Sequence, residues 1–410
     1  MPGMQRSSRV VVVSALGYFV DVLDLFLFNA VRQSSLRDLG VSLADSLPWG
    51  MRLLNVQMAG VLVGAFVWGI LGDRLGRLRA LYGSILLYSL GTLANGLVDS
   101  VEAYAVCRFV AGFGLAGELG SAIALVCETL PQEKRGLGTT LVAGFGLCGG
   151  MCAAVLAEFL SWRACYFVGG AAGLSLLLLR TSIPESALFL SALRRATKKG
   201  SLRLLFSTSS RRGRFAKLLL VGLPVWFVAG LVIAFSPELA TALGTPSILA
   251  ARSVFFSYLG VALGDVLCGV LSQRLRSRRA AMLLFLVLLL GLFLALLQLD
   301  RPGPRAFYAM CFALGISTGY WAVLVTTAAE SFGTNLRATV ATTIPNLVRG
   351  ATIPLTFLYQ HLFPTLGIGS ALRLLGVSVC VLAVGALWQL PETYHAELDY
   401  LDEEPHSTDG

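Results

Sequence analysis

A chain of 410 residues that is 56% hydrophobic and only 13% charged, with a mean hydropathy of +0.76, falls outside the ordinary soluble class, in which about a quarter of residues are charged. The formal net charge of +9 would suit nucleic acid, but the arginines gather in short loops between apolar runs, where a bilayer accounts for them. Those runs approach 20 residues, enough to cross a hydrocarbon core of about 30 Å at about 1.5 Å per residue, so the chain reads as an all-α polytopic membrane protein.

The first 31 residues open with basic residues like a signal peptide. Their apolar part is too long, carries Asp21 and Asp24, and lacks a small-residue cleavage site, so they are read as a retained first helix. About twelve spans are predicted, near 10–31, 53–71, 80–98, 103–126, 138–160, 164–182, 215–236, 252–272, 280–299, 306–329, 339–361 and 369–389. They group into an N-terminal six-helix bundle over 1–182, a cytoplasmic linker over 183–214 rich in Arg, Lys and Ser, a C-terminal bundle over 215–390, and an acidic cytoplasmic tail over 391–410.

In the first span Asp21 and Asp24 are three positions apart and share a helical face. A lone ionised carboxylate at that depth is expensive, which leaves protonation, an arginine partner or a wet cavity. In the fourth span Arg108 reaches a depth similar to that of Asp24, so the two can pair, either as a proton-coupling device or as a permanent strut between helices one and four. The planar fork of Arg108 alternatively suits the carboxylate of an anionic substrate. Glu118, lower on the same span, is either a further proton site or a structural acid bonded to glycine-rich backbone.

Gly112, Gly114, Gly117 and Gly120 on span four, and Gly144, Gly146, Gly149 and Gly150 on span five, form small-residue stripes that favour close helix packing. The GxGxxG match at 112–117 has no preceding strand and lies within the membrane, so nucleotide binding is rejected. In the second half the buried charges are Asp265 in span eight and Arg349 in span eleven; they either pair, or Arg349 offers positive charge to an anion. Span ten carries Ser317, Thr318, Tyr320 and Trp321, and the two aromatics either line a binding site or pack. Spans three, six, nine and twelve, with few or no charges, are expected to face lipid, while one, four and ten face water.

The eight cysteines fall in or beside apolar helices without a CxxC pair and read as small buried hydrophobes. No Walker A loop, zinc site or nucleophile triad occurs, so no catalytic residue, metal or organic cofactor is assigned.

Two basic phrases lie two hundred positions apart, each after a membrane-length helix: GILGDRLGRLR from Gly69 and GVLSQRLRSRR from Gly269. The fourth span closes on Glu128-Thr-Leu-Pro-Gln-Glu-Lys-Arg135 and the tenth on Glu330-Ser-Phe-Gly-Thr-Asn-Leu-Arg337, with the same step from acid to arginine. Pro184-Glu185-Ser186 and Pro391-Glu392-Thr393 follow spans six and twelve. Three paired markers in the same order indicate a duplicated unit.

These phrases, with Arg108-Phe-Val-Ala-Gly112-Phe-Gly114, resemble the signatures of the major facilitator superfamily across nearly the entire chain. Gly17-Tyr-Phe-Val-Asp21-Val-Leu-Asp24 and Gly114-Leu-Ala-Gly117-Glu118 are most similar to its bacterial proton-coupled carriers of organic acids, sugars and related metabolites. The resemblance implies two pseudo-symmetric six-helix bundles around a central cavity, rocking to give alternating access. It also implies a cytoplasmic latch built from Gly69, Asp73, Arg74, Gly76, Arg77, Glu128 and Arg135 in the first half, matched by Gln273, Arg274, Glu330 and Arg337 in the second. In that latch Asp73 would pair with arginines including Arg135 and approach the start of helix eleven; the alternative is a loop that serves only the positive-inside rule. Span seven, Leu223-Pro224-Val-Trp226-Phe-Val, lacks a sugar-porter glutamine cluster.

The expected function is secondary active symport of a small organic anion or polar metabolite with a proton, not catalysis. Asp24, Asp21 and Glu118 are the proton-coupling candidates, and Arg108, Tyr320, Trp321 and Arg349 the substrate-binding ones. A uniporter or proton-antiport exporter of a cationic or amphiphilic compound, with the acids as a cation site, is the alternative; a transport-dead receptor or scaffold is the reading of another class. The expected setting is a cell inner membrane with both termini cytoplasmic, the expected partners are a small molecule and the lipid bilayer, without nucleic acid, and the expected state is a monomer.

Overall fold

The computed structural model describes residues 2–75, 77–118, 132–180 and 205–394. Helix α1 spans Pro2–Asp38, α2 Ser46–Leu75, α3 Arg77–Asn95, α4 Val101–Leu115, α5 Gln132–Phe159 and α6 Trp162–Arg180. The second set begins with α7, Ser209–Phe227, which runs into a π-helical turn, Val228–Ile233, and a short α8, Ser236–Ala242. It continues with α9, Ala250–Leu275, and α10, Arg278–Leu296, then α11, Pro304–Thr318, and α12, Trp321–Glu330. Helices α13, Thr334–Gly350, α14, Thr352–Leu366, and α15, Ile368–Trp388, complete it.

Eight helical segments among the described residues are long and apolar enough to cross a membrane: α1, α2, α6, the α7–π segment, α9, α10, the α11–α12 pair and α15. The helices α3, α4 and α5 and the α13–α14 pair bring the passes to twelve. The seventh pass starts at Ser209, earlier than the expected 215, because Thr208 caps it by accepting a hydrogen bond from the Arg211 amide. Most of the expected linker, 183–204, and the tail from 395 lie outside the described residues.

Duplication is visible in the packing. In the first half α1 packs on α5 and α6, α2 on α4, and α3 on α4 and α6. In the second, α7 packs on α13 and α15, α9 on α11, and α10 on α11 and α15. The halves meet through two matching crossings, α5 on α9 and α2 on α13 and α14. Close approach within each half rests on glycines in the same register. Gly60 and Gly64 of α2 lie against the backbone carbonyls of Phe109 and Phe113, and Gly260 and Gly264 of α9 against those of Phe312 and Ile316. A Cβ at any of the four would overlap that backbone.

The basic phrase also gains a local reason. In the second copy Arg276 closes α9 in the left-handed region at φ 50°, a conformation that favours glycine, and the first copy carries Gly76 at the matching position.

Large apolar side chains exposed at the surface lie on α3, α6, α10 and α15, as expected for lipid-facing spans, and also on α2, α5, α9 and α14; Val106 and Phe109 of α4 and Val12 of α1 are exposed as well, so spans one and four are not the wholly water-facing helices expected. Among the described residues none lies on α7, α11 or α12, which are interior. Among the described residues three passes of the second half are broken. Pro224 in α7 has no N–H, and the turn after it widens to π geometry before α8 restarts. The α11–α12 break falls at Gly319 and Tyr320, and the α13–α14 break at Ala351. Interrupted backbone of this kind is tolerated at membrane depth where protein or a cavity surrounds it.

Candidate functional site

A cavity of about 50 Å³ lies where the two halves meet, with Tyr18 from α1, Trp226 from α7, Tyr258 from α9, Thr318 and Trp321 flanking the α11–α12 break, and Arg349 from α13 in its wall. The walls are largely apolar and aromatic. Arg349 is the cation among them, and its guanidinium lies 5.9 Å from the ring centre of Trp226.

Arg349 does not pair with Asp265. Its Nη2 donates to Asp21 Oδ2 of α1 at 3.4 Å, joining the two halves at the cavity wall, with both side chains buried. Strong charge-assisted bonds run about 2.7–2.9 Å, so this contact is loose. It also leaves capacity unused, since Asp21 Oδ1 and Arg349 Nε and Nη1 have no hydrogen-bond partner among the described residues. Asp265 is engaged elsewhere: its Oδ1 accepts the backbone N–H of Ala322 at 3.1 Å.

The expected Asp24–Arg108 bond is absent. Asp24 Oδ1 instead accepts from Thr92 Oγ1 of α3 at 2.7 Å, and Arg108 attracts the carboxylate without touching it. Arg108 is enclosed by rings, with Phe28 at 5.0 Å and Tyr166 at 5.8 Å, and among the described residues none of its guanidinium nitrogens has a hydrogen-bond partner. It lies inside the first half, away from the wall of the cavity between the halves. Spacing predicts depth along a helix but not which way a side chain turns, and the two turn toward different neighbours.

Glu118 is bonded to Arg180 of α6 rather than to glycine backbone, in an ion pair with both side chains buried. Gly17 of α1 makes room for it, since a Cβ there would overlap Glu118 Oε1 and Arg180 Nη2. Arg180 was missed in the sequence, where span six was read as lipid-facing; a single arginine near the end of an otherwise apolar run was the available signal. Tyr320 is a packing residue: fully buried, it donates its hydroxyl to Val221 O at 2.8 Å and does not reach the cavity, whereas Trp321 does.

The loop residues divide. Gly76 and Glu128 lie outside the described residues, as do the side chains of Asp73, Arg74, Arg77, Arg135 and Arg337, while Gly69 lies within α2. In the second copy Arg274 is exposed, and Gln273 accepts from Tyr394 Oη at 2.9 Å. Glu330 pairs with Arg278 at 3.2 Å and accepts from Thr393 at 2.8 Å. Glu392 accepts from Ser277 and from the amides of Arg278 and Arg279. These bonds tie the starts and ends of α9, α10, α12 and α15 to one another within the second half, so the described part of this loop does not join the halves.

Other contacts do join them, at the end of the bundle away from the termini. Arg32 near the end of α1 pairs with Glu238 of α8 at 2.7 Å, and Arg252 of α9 pairs with Glu158 of α5. Thr356 of α14 donates to Asn55 of α2 at 2.5 Å. Among the described residues these contacts tie the two halves together at that end.

The sequence and the fold both have relatives. A profile of the Major Facilitator Superfamily matches residues 14–351. The 3-(3-hydroxy-phenyl)propionate transporter of Escherichia coli (strain K12) is 30% identical over 300 residues, covering 70% of this chain and 71% of that protein. The 4-hydroxybenzoate transporter PcaK of Pseudomonas aeruginosa is 30% identical over 196 residues, covering 47% and 43%. The chain thus spans less than half the length of several of the curated relatives it matches. The crystal structure of a D-xylose-proton symporter superposes with a TM-score of 0.75 over 96% of this chain and 100% of that one, at 15% identity, a likeness of fold.

Proposed function

Because the chain belongs to the Major Facilitator Superfamily of membrane transporters, we propose that it carries a small organic acid, an aromatic carboxylate in particular, together with a proton. The observation that carries this reading is the loose Asp21–Arg349 bridge in the wall of an aromatic cavity between the halves. The guanidinium has two nitrogens free to receive a carboxylate, and Trp226, Tyr258 and Trp321 offer ring faces to an aromatic body. Two relatives named as transporters of hydroxylated aromatic acids support the same class.

The cycle follows from charge. A substrate carboxylate competes with Asp21 for Arg349. Once displaced, Asp21 is a buried carboxylate without compensation, and such groups neutralise by taking a proton. The anion and proton together add no net charge, so the site can close and reopen on the other side without stranding a charge in the membrane. Asp24, held by Thr92, and Glu118, held by Arg180, are supporting acids in this scheme, with Asp21 the proton carrier. Arg108 would then act inside the first half, not on the substrate. Residues 1–182 and 215–390 serve as the two rocking bodies, joined by 183–214, in a monomer. The basic loops at the end that carries both termini face the cytoplasm of a cell inner membrane.

Proteoliposomes with an imposed pH gradient and labelled 3-(3-hydroxyphenyl)propionate or 4-hydroxybenzoate test this. Gradient-driven accumulation is expected, and Asp21→Asn should abolish it while leaving exchange of internal for external substrate. Uptake indifferent to the gradient would indicate uniport, and undiminished accumulation in Asp21→Asn would remove Asp21 from the coupling.

A further inference from the structure

The two halves share a helix-packing joint but differ at one residue beside it. In register, Gly60 and Gly64 of α2 correspond to Gly260 and Gly264 of α9, and each pair seats its helix on the backbone of the partner, α4 or α11. The next position is Ala65 in the first half and Asp265 in the second. Since α2 packs on α4 in the same manner with alanine there, the joint itself does not require the acid. A carboxylate within a membrane span is costly, so its presence needs another reason.

The reason lies at the α11–α12 break. Asp265 Oδ1 accepts the backbone N–H of Ala322 at 3.1 Å, in the first turn of α12, where N–H groups have no partner within the helix. The residue at the usual capping position, Tyr320, contributes no side-chain cap, because its hydroxyl is directed to Val221 of α7. Gly319 rests on the backbone of Gly264 and Asp265, so closely that a Cβ would overlap it. Among the described residues no ion pair reaches Asp265, so the start of α12 is its counter-charge. Trp321, the neighbour of the held residue and the first of α12, is in the cavity wall.

We infer that Asp265 is a positioning residue: by capping α12 from the neighbouring helix it fixes the place of the Trp321 ring in the cavity, and so sets how well the site holds an aromatic substrate. It touches no substrate itself. The duplicated half has Ala65 at the matching position and so offers no carboxylate there.

Hydrogen exchange read by mass spectrometry over residues 317–330 and over α9 tests the cap without any substrate. Asp265→Ala should accelerate exchange at Ala322 by about tenfold or more, the loss of a capping bond, and leave α9 unchanged; Asp265→Asn, whose amide oxygen still accepts, should restore protection. Unchanged protection in Asp265→Ala, or acceleration spread evenly over α9 and α11, would overturn the inference in favour of a packing role. If the alanine variant does not fold, Asp265→Ser, whose side chain is too short to reach the Ala322 amide, gives the same comparison. A kinetic arm rests on the transport reading above: the KM for 4-hydroxybenzoate should rise about two- to tenfold, the worth of one aromatic contact, with the maximal rate little changed and KM recovered in Asp265→Asn. A fall in maximal rate at constant KM would contradict positioning, and absence of transport by the unaltered protein would count against the transport reading alone.

Discussion

Two buried ion pairs lie within this membrane domain, and they are built differently. Glu118–Arg180 is internal to the first half, close, and accommodated by a glycine on a third helix. Asp21–Arg349 crosses between the halves, is stretched to 3.4 Å, and borders a cavity. The first has the build of a strut, since no movement of the halves separates its members. The second joins bodies that part in the proposed cycle, and its unused donors and acceptors provide alternatives when it breaks. Two acids a few residues apart in depth thus have different work because of where their partners stand.

The largest expected effect tests the strut. Arg180→Ala leaves Glu118 buried without compensation and should cost about 3–5 kcal/mol, the range for breaking a buried pair. Thermal unfolding in detergent should show it, and a double-mutant cycle should give a larger coupling for Glu118–Arg180 than for Asp21–Arg349. Equal couplings would erase the distinction drawn between them.

A smaller effect concerns the clasp at the far end, where Arg32 is fully buried but Glu238 is 17% exposed. Arg32→Ala should shift the resting population toward opening of that end by about 1 kcal/mol, roughly fivefold. The labelling rate of a cysteine introduced at Ser236, buried in the structure, reads this directly. No change in rate would mean that the crossings of α5 on α9 and α2 on α14 hold that end by themselves.

The smallest lies outside the membrane and carries a pH signature. Burial alone would raise the Glu392 carboxyl, but the Ser277 hydroxyl and the amides of Arg278, Tyr394 and Arg279 hold it below its ordinary 4.5. A lowered value in the folded protein means that the charged cap stabilises above pH 4.5 and that this stabilisation fades as pH falls through the folded value. Glu392→Gln should therefore be less stable than the unaltered protein at neutral pH, by a few degrees in Tm, and the gap should close in acid. A gap independent of pH would show that shape rather than charge matters there.

Much was legible in the sequence, for identifiable reasons. Hydropathy fixes how many times the chain crosses the membrane, because an apolar run of that length has no other solvent, and the duplication appears because its signatures kept their register. The depth of Asp21, Asp24, Arg108 and Glu118 follows from 1.5 Å per residue. Azimuth does not follow, since the direction a buried side chain takes depends on helices far away in sequence. Arg108 was therefore assigned to Asp24 and to the substrate, when Phe28 and Tyr166 enclose it; Tyr320 was assigned to the cavity, when Val221 holds it. Gln273, read with the latch between halves, is bonded within its own half.

The sequence by itself determined that this chain is a duplicated helical membrane protein of the transporter superfamily, with acids and arginines in its spans, since composition and periodicity are local properties that survive without a partner. Only the tertiary structure decided who pairs with whom. Arg349 and Asp21 are 328 positions apart and Asp265 caps a helix 57 positions away. In a bilayer every buried charge must find its complement inside the protein, and which complement is within reach is a fact of packing alone.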